Sequence, residues 1–427
     1  MNSPIGTQPQ TLSQESNKNY TPAFITVTTL FFMWGFLTCL NDILIPHLKS
    51  VFELSFVQAA MVQFTFFSAY FIMSLPAGKV IAKVGYKSGI VIGLSTAGVG
   101  ALLFYPAAAF LYYPFFLLAL FVLATGITLL QVAANPYVSV LGKPETASSR
   151  LNLAQAFNSL GTTIAPAVGG LLILSGTIKT AEELQAMTPE AMSMYKLSQA
   201  TLVQLPYIGL AIALFILAGA MAFFNLPTIS TVEGNEKEES SFGEVLREKQ
   251  LAFGALGIFL YVGGEVSIGS YLVNFIGLEE IAGLPENQAA AYVSYYWGGA
   301  MIGRFIGSYL LTVIKPGRLL GAFAITAALL VFGTLMTKGS MAMFLILSVG
   351  LMNSIMFPTI FTLGIDGLGQ KTNAGSSIMI MAIVGGAILP VLMGAMADSI
   401  GLHQAFWLPL LCYVYIAYYG FIGSQHR

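Results

Sequence analysis

A chain of 427 residues in which 56% are hydrophobic and 9% charged is too apolar for a soluble protein and too long for one soluble core; it reads as a polytopic membrane protein. Its net charge of -1, with no basic tail or stripe to neutralise phosphates, excludes a nucleic-acid partner. Cys39 and Cys412 both fall in apolar stretches without a companion histidine cluster, so they read as small hydrophobic fillers, with neither a disulfide framework nor a cysteine metal site.

In chain order, residues 1–21 are polar, lack the apolar core and cleavage site of a signal peptide, and read as a disordered cytoplasmic tail. Apolar runs follow at Ala23–Leu48, Phe56–Lys79, Gly89–Phe104, Phe115–Leu141, Leu151–Leu174 and Val203–Phe224, then at Leu251–Ile276, Gln288–Val313, Leu319–Met336, Ala342–Leu363, Ser376–Met396 and Ala405–Ile422. Each is close to the ~20 residues that a hydrocarbon core of ~30 Å demands, which predicts an all-α protein with twelve transmembrane helices. The charged stretch from Glu233 to Lys249 follows the sixth run, so 22–226 and 251–424 are expected to form two six-helix bundles joined by a cytoplasmic linker, 227–250, with a short helix around Phe242–Arg247. With both termini placed inside, fourteen Lys and Arg residues fall on the cytoplasmic side against four outside, as the positive-inside rule requires.

Asp42 and Glu265 are the acids within these runs, one in each half, and a carboxylate in hydrocarbon costs at least ~2.5–3.5 kcal/mol. Such groups mark ion or substrate paths. In the first run Trp34, Thr38, Asn41 and Asp42 share a helical face ahead of Pro46, offering acceptor oxygens to a hard cation or a proton. The fourth carries Gln131 and Asn135 one turn apart before Pro136, and the fifth carries Asn152, Gln155, Asn158 and Ser159, an amide stripe suited to the hydroxyls of a polyol. Such amides also glue helices together. In the seventh, Glu265 lies among glycines with Tyr261 one turn before it and Asn274 on a nearby face. Arg304 is the one base within reach as an ion-pair partner for Glu265, but it is expected at the opposite end of the bundle, which favours a cavity-facing Glu265. Trp297, in an aromatic cluster of the eighth run, can stack on a sugar ring.

The halves echo one another. Asn135-Pro136 with Leu141-Gly142, and Phe357-Pro358 with Leu363-Gly364, repeat at an offset of 222 residues. Gly78, Lys83, Gly85 and Lys87 after the second run, and Gly303, Arg304 and Gly307 near the end of the eighth, read as close-packing glycines with basic residues at a cytoplasmic gate. There is no Walker loop, no metal-spaced His or Cys set and no serine nucleophile with a nearby histidine, so the chain is not read as an enzyme and requires no cofactor.

The stretches LNDILIP (Leu40 to Pro46), QVAANPYVSVLG (Gln131 to Gly142), RLNLAQAFNS (from Arg150), FPTIFTLGIDGLGQ (Phe357 to Gln370) and NAGSSIMIMAIVGGAILP (Asn373 to Pro390) resemble the fucose permease family of the major facilitator superfamily. The segment YVGGEVSIGSYLVNF (Tyr261 to Phe275) resembles that family's glucose/galactose transporter branch. The resemblance implies a monomeric sugar:cation symporter of the bacterial inner membrane, working by alternating access on a monosaccharide. It implies ion coupling at Asp42, with Asn41, Thr38 and Gln131 around it, and sugar contacts at Gln155 and Asn158. Gln131, Asn135, Glu265, Tyr261, Asn274 and Trp297 complete the expected sugar site. Where the fucose permease has a coupling glutamate this chain has Gln131, which cannot titrate, and Glu265 stands where the permease has an amide. A lone Asp42 among neutral oxygens favours sodium as the coupling cation, with a proton-coupled symporter for fucose or another monosaccharide as the alternative. A non-transporting membrane receptor or scaffold is the reading from another class.

Overall fold

The structure, a computed structural model, describes residues 20–52, 56–172, 187–201, 204–224 and 242–425; the side chains of residues 37, 38, 40–60 and 166–172 are among those outside the description. The described chain is helical and forms the twelve-helix, two-bundle membrane fold. Its long helices are α1 (Thr21–Phe52), α2 (Phe56–Phe110), α3 (Tyr113–Val140) and α4 (Ala147–Leu172), then α5 (Pro189–Thr201) and α6 (Gln204–Phe223). After the short α7 (Phe242–Val245) come α8 (Lys249–Gly277), α9 (Glu286–Val313) and α10 (Pro316–Met336). The chain closes with α11 (Gly339–Asn353), α12 (Met356–Ile365), α13 (Thr372–Met381), α14 (Gly385–Ile400), α15 (Leu402–Ala405) and α16 (Trp407–Tyr418).

Four predicted runs take a different form. The second and third join into α2, whose direction reverses at Gly85 with φ 80° and ψ 168°, a conformation that only glycine adopts without strain. The reversal is tight enough to bring Gly89 against Ile81. The tenth run is broken into α11 and α12 at Ser354 and Ile355, and the eleventh into α13 and α14 by a 3-10 turn at Ala382–Val384. Proline explains the first break. Pro358 has no N–H to give the Ser354 carbonyl four residues before it, so that oxygen is released from the helix ladder. Backbone polar groups at membrane depth need a partner from within the protein, and side chains supply it here.

Lys83, Lys87, Lys143, Lys315, Arg318 and Lys371 cluster with the turns at one end of the bundles, hereafter the basic face. Arg150 stitches this face by donating to the Ser139 carbonyl at 2.7 Å and the Lys143 carbonyl at 2.7 Å, which satisfies oxygens left free where α3 ends. Lys371 pairs there with Glu248 at 3.0 Å and Glu244 at 3.9 Å, and Lys79 lies 5.9 Å from the Phe242 ring, tying α7 to both bundles. At the opposite face Glu280 pairs with Lys338 at 2.7 Å and with His403 Nδ1 at 3.4 Å, while His403 Nε2 meets the Thr334 carbonyl at 2.8 Å. A cavity of about 300 Å³ opens among these groups, far from the polar residues of the bundle centre.

Candidate functional site

The polar residues at mid-bundle fall into three groups: a cluster inside each half and a seam between them. In the N-terminal half the Gln131 amide donates to the Tyr70 hydroxyl at 2.8 Å, and Trp34 also hydrogen-bonds to Tyr70. Gln131 Oε1 and both amide atoms of Asn135 are buried with no protein partner. Buried polar groups in folded proteins are satisfied with few exceptions, so three such atoms on adjacent turns of one helix point to a polar ligand.

In the C-terminal half the Asn353 amide donates to the Tyr296 hydroxyl at 2.7 Å, and Tyr296 donates to the Glu265 carbonyl at 3.3 Å. The Tyr261 hydroxyl lies 2.7 Å from Glu265 Oε1 and 3.2 Å from the Asn353 carbonyl, which the break after α11 exposes. Tyr413 and Cys412 of α16 close the cluster on the far side. Glu265 is 9% exposed and has no cation within 4.0 Å among the described residues.

The seam joins α4 to α9. Ser149 donates to the Ser308 carbonyl at 2.6 Å, and the Asn152 amide donates to the Arg304 carbonyl at 2.8 Å and to Ser308 Oγ at 3.1 Å. Arg304 Nη1 donates to Ser159 Oγ and, at 3.3 Å, to the Gln155 carbonyl; its Nε meets the released Ser354 carbonyl at 3.4 Å. Nearby, Ser148 and Thr362 share a hydrogen bond at 2.6 Å, and Ser376 donates to the Val132 carbonyl at 3.1 Å. Val132 is the acceptor that Pro136 leaves free, so each half carries a proline-released carbonyl and each is filled by a side chain. Among the described residues, the hydrogen bonds between halves run from Ser148 at the basic face to Thr163 beyond mid-bundle, where Thr163 donates to Met301 Sδ at 3.4 Å. Gly78 packs on Ser377 and Gly386 on Phe67 without room for a Cβ, so α2 and the α13–α14 pair also touch directly. The halves are closed against one another at the basic face.

The expected site residues distribute unevenly over this arrangement. Thr38, Asn41 and Asp42 lie on α1, but their side chains are outside the described residues. Gln131, Asn135 and Gln155 are buried at the centre; Asn158 spends its amide on the Phe31 carbonyl at 2.9 Å, holding α4 to α1 beside Gly35. Tyr261 and Glu265 come together as expected. Asn274 is exposed near the end of α8 beside Leu284 and Glu286, away from Glu265. Trp297 is 43% exposed, its ring resting on Gly269 and set edge-on to Tyr296. Of the gate group, Gly78 makes a contact between halves, Gly85 turns α2, Lys83 is exposed and Lys87 half-buried. Arg304 requires a correction. It was expected at the basic loop, yet it sits nine residues inside the end of α9, about 14 Å along the axis, with its guanidinium on mid-bundle Ser159. Its Nε meets the Ser354 carbonyl, next to the Asn353 carbonyl that Tyr261 shares with Glu265, so the two are not at opposite ends.

Asn353, Tyr296 and Tyr70 were missed. The signal was present, because the 222-residue offset that relates Pro136 to Pro358 also relates Gln131 to Asn353.

Comparisons with known proteins agree with this architecture. Residues 23–383 match the family model described as Major Facilitator Superfamily. The chain is 52% identical over 426 residues to the "Glucose/galactose transporter" of Brucella abortus biovar 1 (strain 9-941), covering 99% of this chain and 98% of that one. It is 36% identical over 415 residues to the "L-fucose-proton symporter" of Escherichia coli (strain K12), covering 96% and 94% respectively. The crystal structure of a Major Facilitator Superfamily transporter, FucP, in the outward conformation superposes with a TM-score of 0.89 at 36% identity, covering 96% of this chain and 100% of that chain.

Proposed function

The chain belongs to the Major Facilitator Superfamily, and from that premise we propose that it is a secondary active symporter importing a hexose of the glucose/galactose kind with a cation. A member of this family is a transporter and not an enzyme. The observation that carries the reading is the seam: two bundles joined toward the basic face by side-chain hydrogen bonds that can exchange, over buried amide atoms that lack protein partners. Such a structure can open at one end or the other about a central site, which is alternating access. The positive-inside rule makes the basic face cytoplasmic, with both termini there, and the state described is then closed to the inside.

Gln131 and Asn135 supply the amides for sugar hydroxyls, with Gln155 and Asn158 on the facing helix. Asp42 is assigned to ion coupling with Asn41 and Thr38 beside it. Sodium, favoured by the sequence, finds no support among the relatives, one of which is a proton symporter by name; the proton is therefore taken as the coupling cation. A monomer in the bacterial inner membrane suffices for this mechanism. The test is uptake of labelled glucose and galactose into proteoliposomes under separately imposed proton and sodium gradients. Acceleration by the proton gradient alone is expected; acceleration by sodium alone overturns the ion, and absence of sugar counterflow under all conditions overturns transport. Asp42→Asn is expected to retain counterflow and lose accumulation against a gradient.

A further inference from the structure

Glu265 is a carboxyl group deep in one bundle with no ion-pair partner among the described residues, and the transport reading leaves it without a task. An unpaired carboxylate in a medium of low dielectric is so costly that the group takes up a proton or finds a cation. The groups around it provide for both states. From its own helix Tyr261 faces it; from α9, Tyr296 and Arg304; from α11, Asn353; from α16, Tyr413, with Cys412 beside it on Gly264.

The hydroxyl of Tyr261 has one proton and two oxygens within reach, Glu265 Oε1 at 2.7 Å and the Asn353 carbonyl at 3.2 Å. The carbonyl can only accept. With Glu265 ionised, Tyr261 gives its proton to the carboxylate and the Asn353 carbonyl, freed by the helix break, goes without. With Glu265 protonated, the acid donates to Tyr261 and Tyr261 donates to Asn353, so both contacts are made. Both contacts of the Tyr261 hydroxyl are thus made only around the neutral acid. The ionised form instead needs a cation, and Arg304 is held away. Its Nη1 is bound to Ser159 and the Gln155 carbonyl of the other half, while its Nε stays on the Ser354 carbonyl next to Asn353 in its own half.

We propose that Glu265 is a proton-binding site of the transport cycle, filled while the halves are closed at the basic face and emptied when their separation frees Arg304 to pair with it. The proton adds to the carboxylate from water at the opposite face, giving the neutral acid. When α4 withdraws, it takes Ser159 and the Gln155 carbonyl with it, and the guanidinium, still tethered at Ser354, moves onto Glu265. The O–H bond of the acid breaks, the proton leaves to water at the basic face, and a carboxylate–guanidinium pair remains until the seam forms again. One proton crosses per cycle, passing both Asp42, the coupling group proposed above, and Glu265, so that loss of either carboxyl uncouples transport; Arg304 acts as a positioning residue through its exchange of partners. This inference rests on the proton-symport reading.

The test uses the full chain in proteoliposomes, with labelled galactose as probe, comparing wild type, Glu265→Gln and Arg304→Gln. Counterflow of sugar for sugar reports folding and alternating access, and external pH in weakly buffered medium reports protons moved with sugar. At an interior-negative potential of ~100 mV, wild type coupled to one charge accumulates sugar about 50-fold. In Glu265→Gln counterflow persists, accumulation falls to about one, and the sugar-linked alkalinisation disappears. Accumulation and alkalinisation equal to wild type in that variant overturn the inference alone. A wild type that carries sugar without moving protons overturns the symport reading, and this inference with it. Should Glu265→Gln fail to reach the membrane, Arg304→Gln, which leaves the carboxyl in place, decides: measurable counterflow with accumulation well below wild type supports the exchange, and accumulation equal to wild type refutes it.

Discussion

The two mid-bundle clusters are built alike and differ in one group. On each side an amide donates to a buried tyrosine hydroxyl, Gln131 to Tyr70 in one half and Asn353 to Tyr296 in the other. In each half a proline also frees a backbone carbonyl, Val132 O or Ser354 O, for a side chain to take. The N-terminal tyrosine is completed by Trp34, a neutral donor, whereas the C-terminal one is joined to Glu265 and Tyr261. The first arrangement has one proton inventory at any pH between those of carboxylates and phenols. The second has two, and Arg304 stands where it can select between them. In the proposed cycle the same scaffold offers a polar surface for hydroxyls in one cluster and a titratable group in the other.

The strongest way to break this comparison is to remove Arg304. Arg304→Ala abolishes its contacts to Ser159, Gln155 and Ser354 and leaves a buried carbonyl unfilled, so a loss of about 3 kcal/mol or more is expected, read as a lower melting temperature in detergent. A melting temperature equal to wild type removes the seam from the account. Next come the matched amides. Asn353→Leu and Gln131→Leu each delete one buried amide–tyrosine hydrogen bond, worth about 1–3 kcal/mol where a partner is left unsatisfied. Asn353→Leu is expected to cost more, because Tyr296 also supports the Glu265 backbone; equal losses would make the clusters equivalent after all.

Smaller is Ser376→Ala, which empties the carbonyl freed by Pro136. A cost near 1 kcal/mol shifts the closed-to-open ratio at the basic face about fivefold, measurable as faster labelling of a cysteine placed at Ser148. The smallest effect lies in the loops of the opposite face. Lys338 first, and then His403, hold Glu280 below the usual carboxylate range. Its folded pKa is depressed, so its contribution is present above the ordinary carboxylate pKa and is lost as pH falls through the lowered value. Hydrogen exchange at Lys338 and Gly339 is expected to quicken on acidification, relative to a Glu280→Gln control that shows no such step.

Much of the fold was legible because hydrophobic length is a local property: the run from Leu251 to Ile276 differs from its helix, Lys249–Gly277, by three residues in total. The breaks were not legible to the same degree. Pro76, Pro136 and Pro390 lie inside continuous helices while Pro358 follows a break, so a proline in an apolar run does not by itself tell where the helix breaks. At the site, the rarity of acids in apolar runs singled out Glu265, and residue spacing placed Tyr261 beside it. Spacing gave the wrong depth for Arg304, since a basic residue near the end of a run reads as a loop residue until its partners are seen. The amide stripe of α4 reads as a ligand surface or as helix glue; Asn152 and Asn158 do spend their amide nitrogens holding helices together, while unpartnered buried atoms stay on Gln131, Asn135 and Asn152 Oδ1.

What the sequence determined by itself was a two-bundle membrane protein with one acid in the apolar run opening each half, because the cost of polar groups in hydrocarbon acts on every residue separately. Only the tertiary structure decided which oxygen each donor meets. It set Arg304 on Ser159 rather than on Glu265, and Tyr261 between a carboxyl and a freed carbonyl. Those choices depend on contacts between residues more than ninety positions apart, which no local pattern encodes.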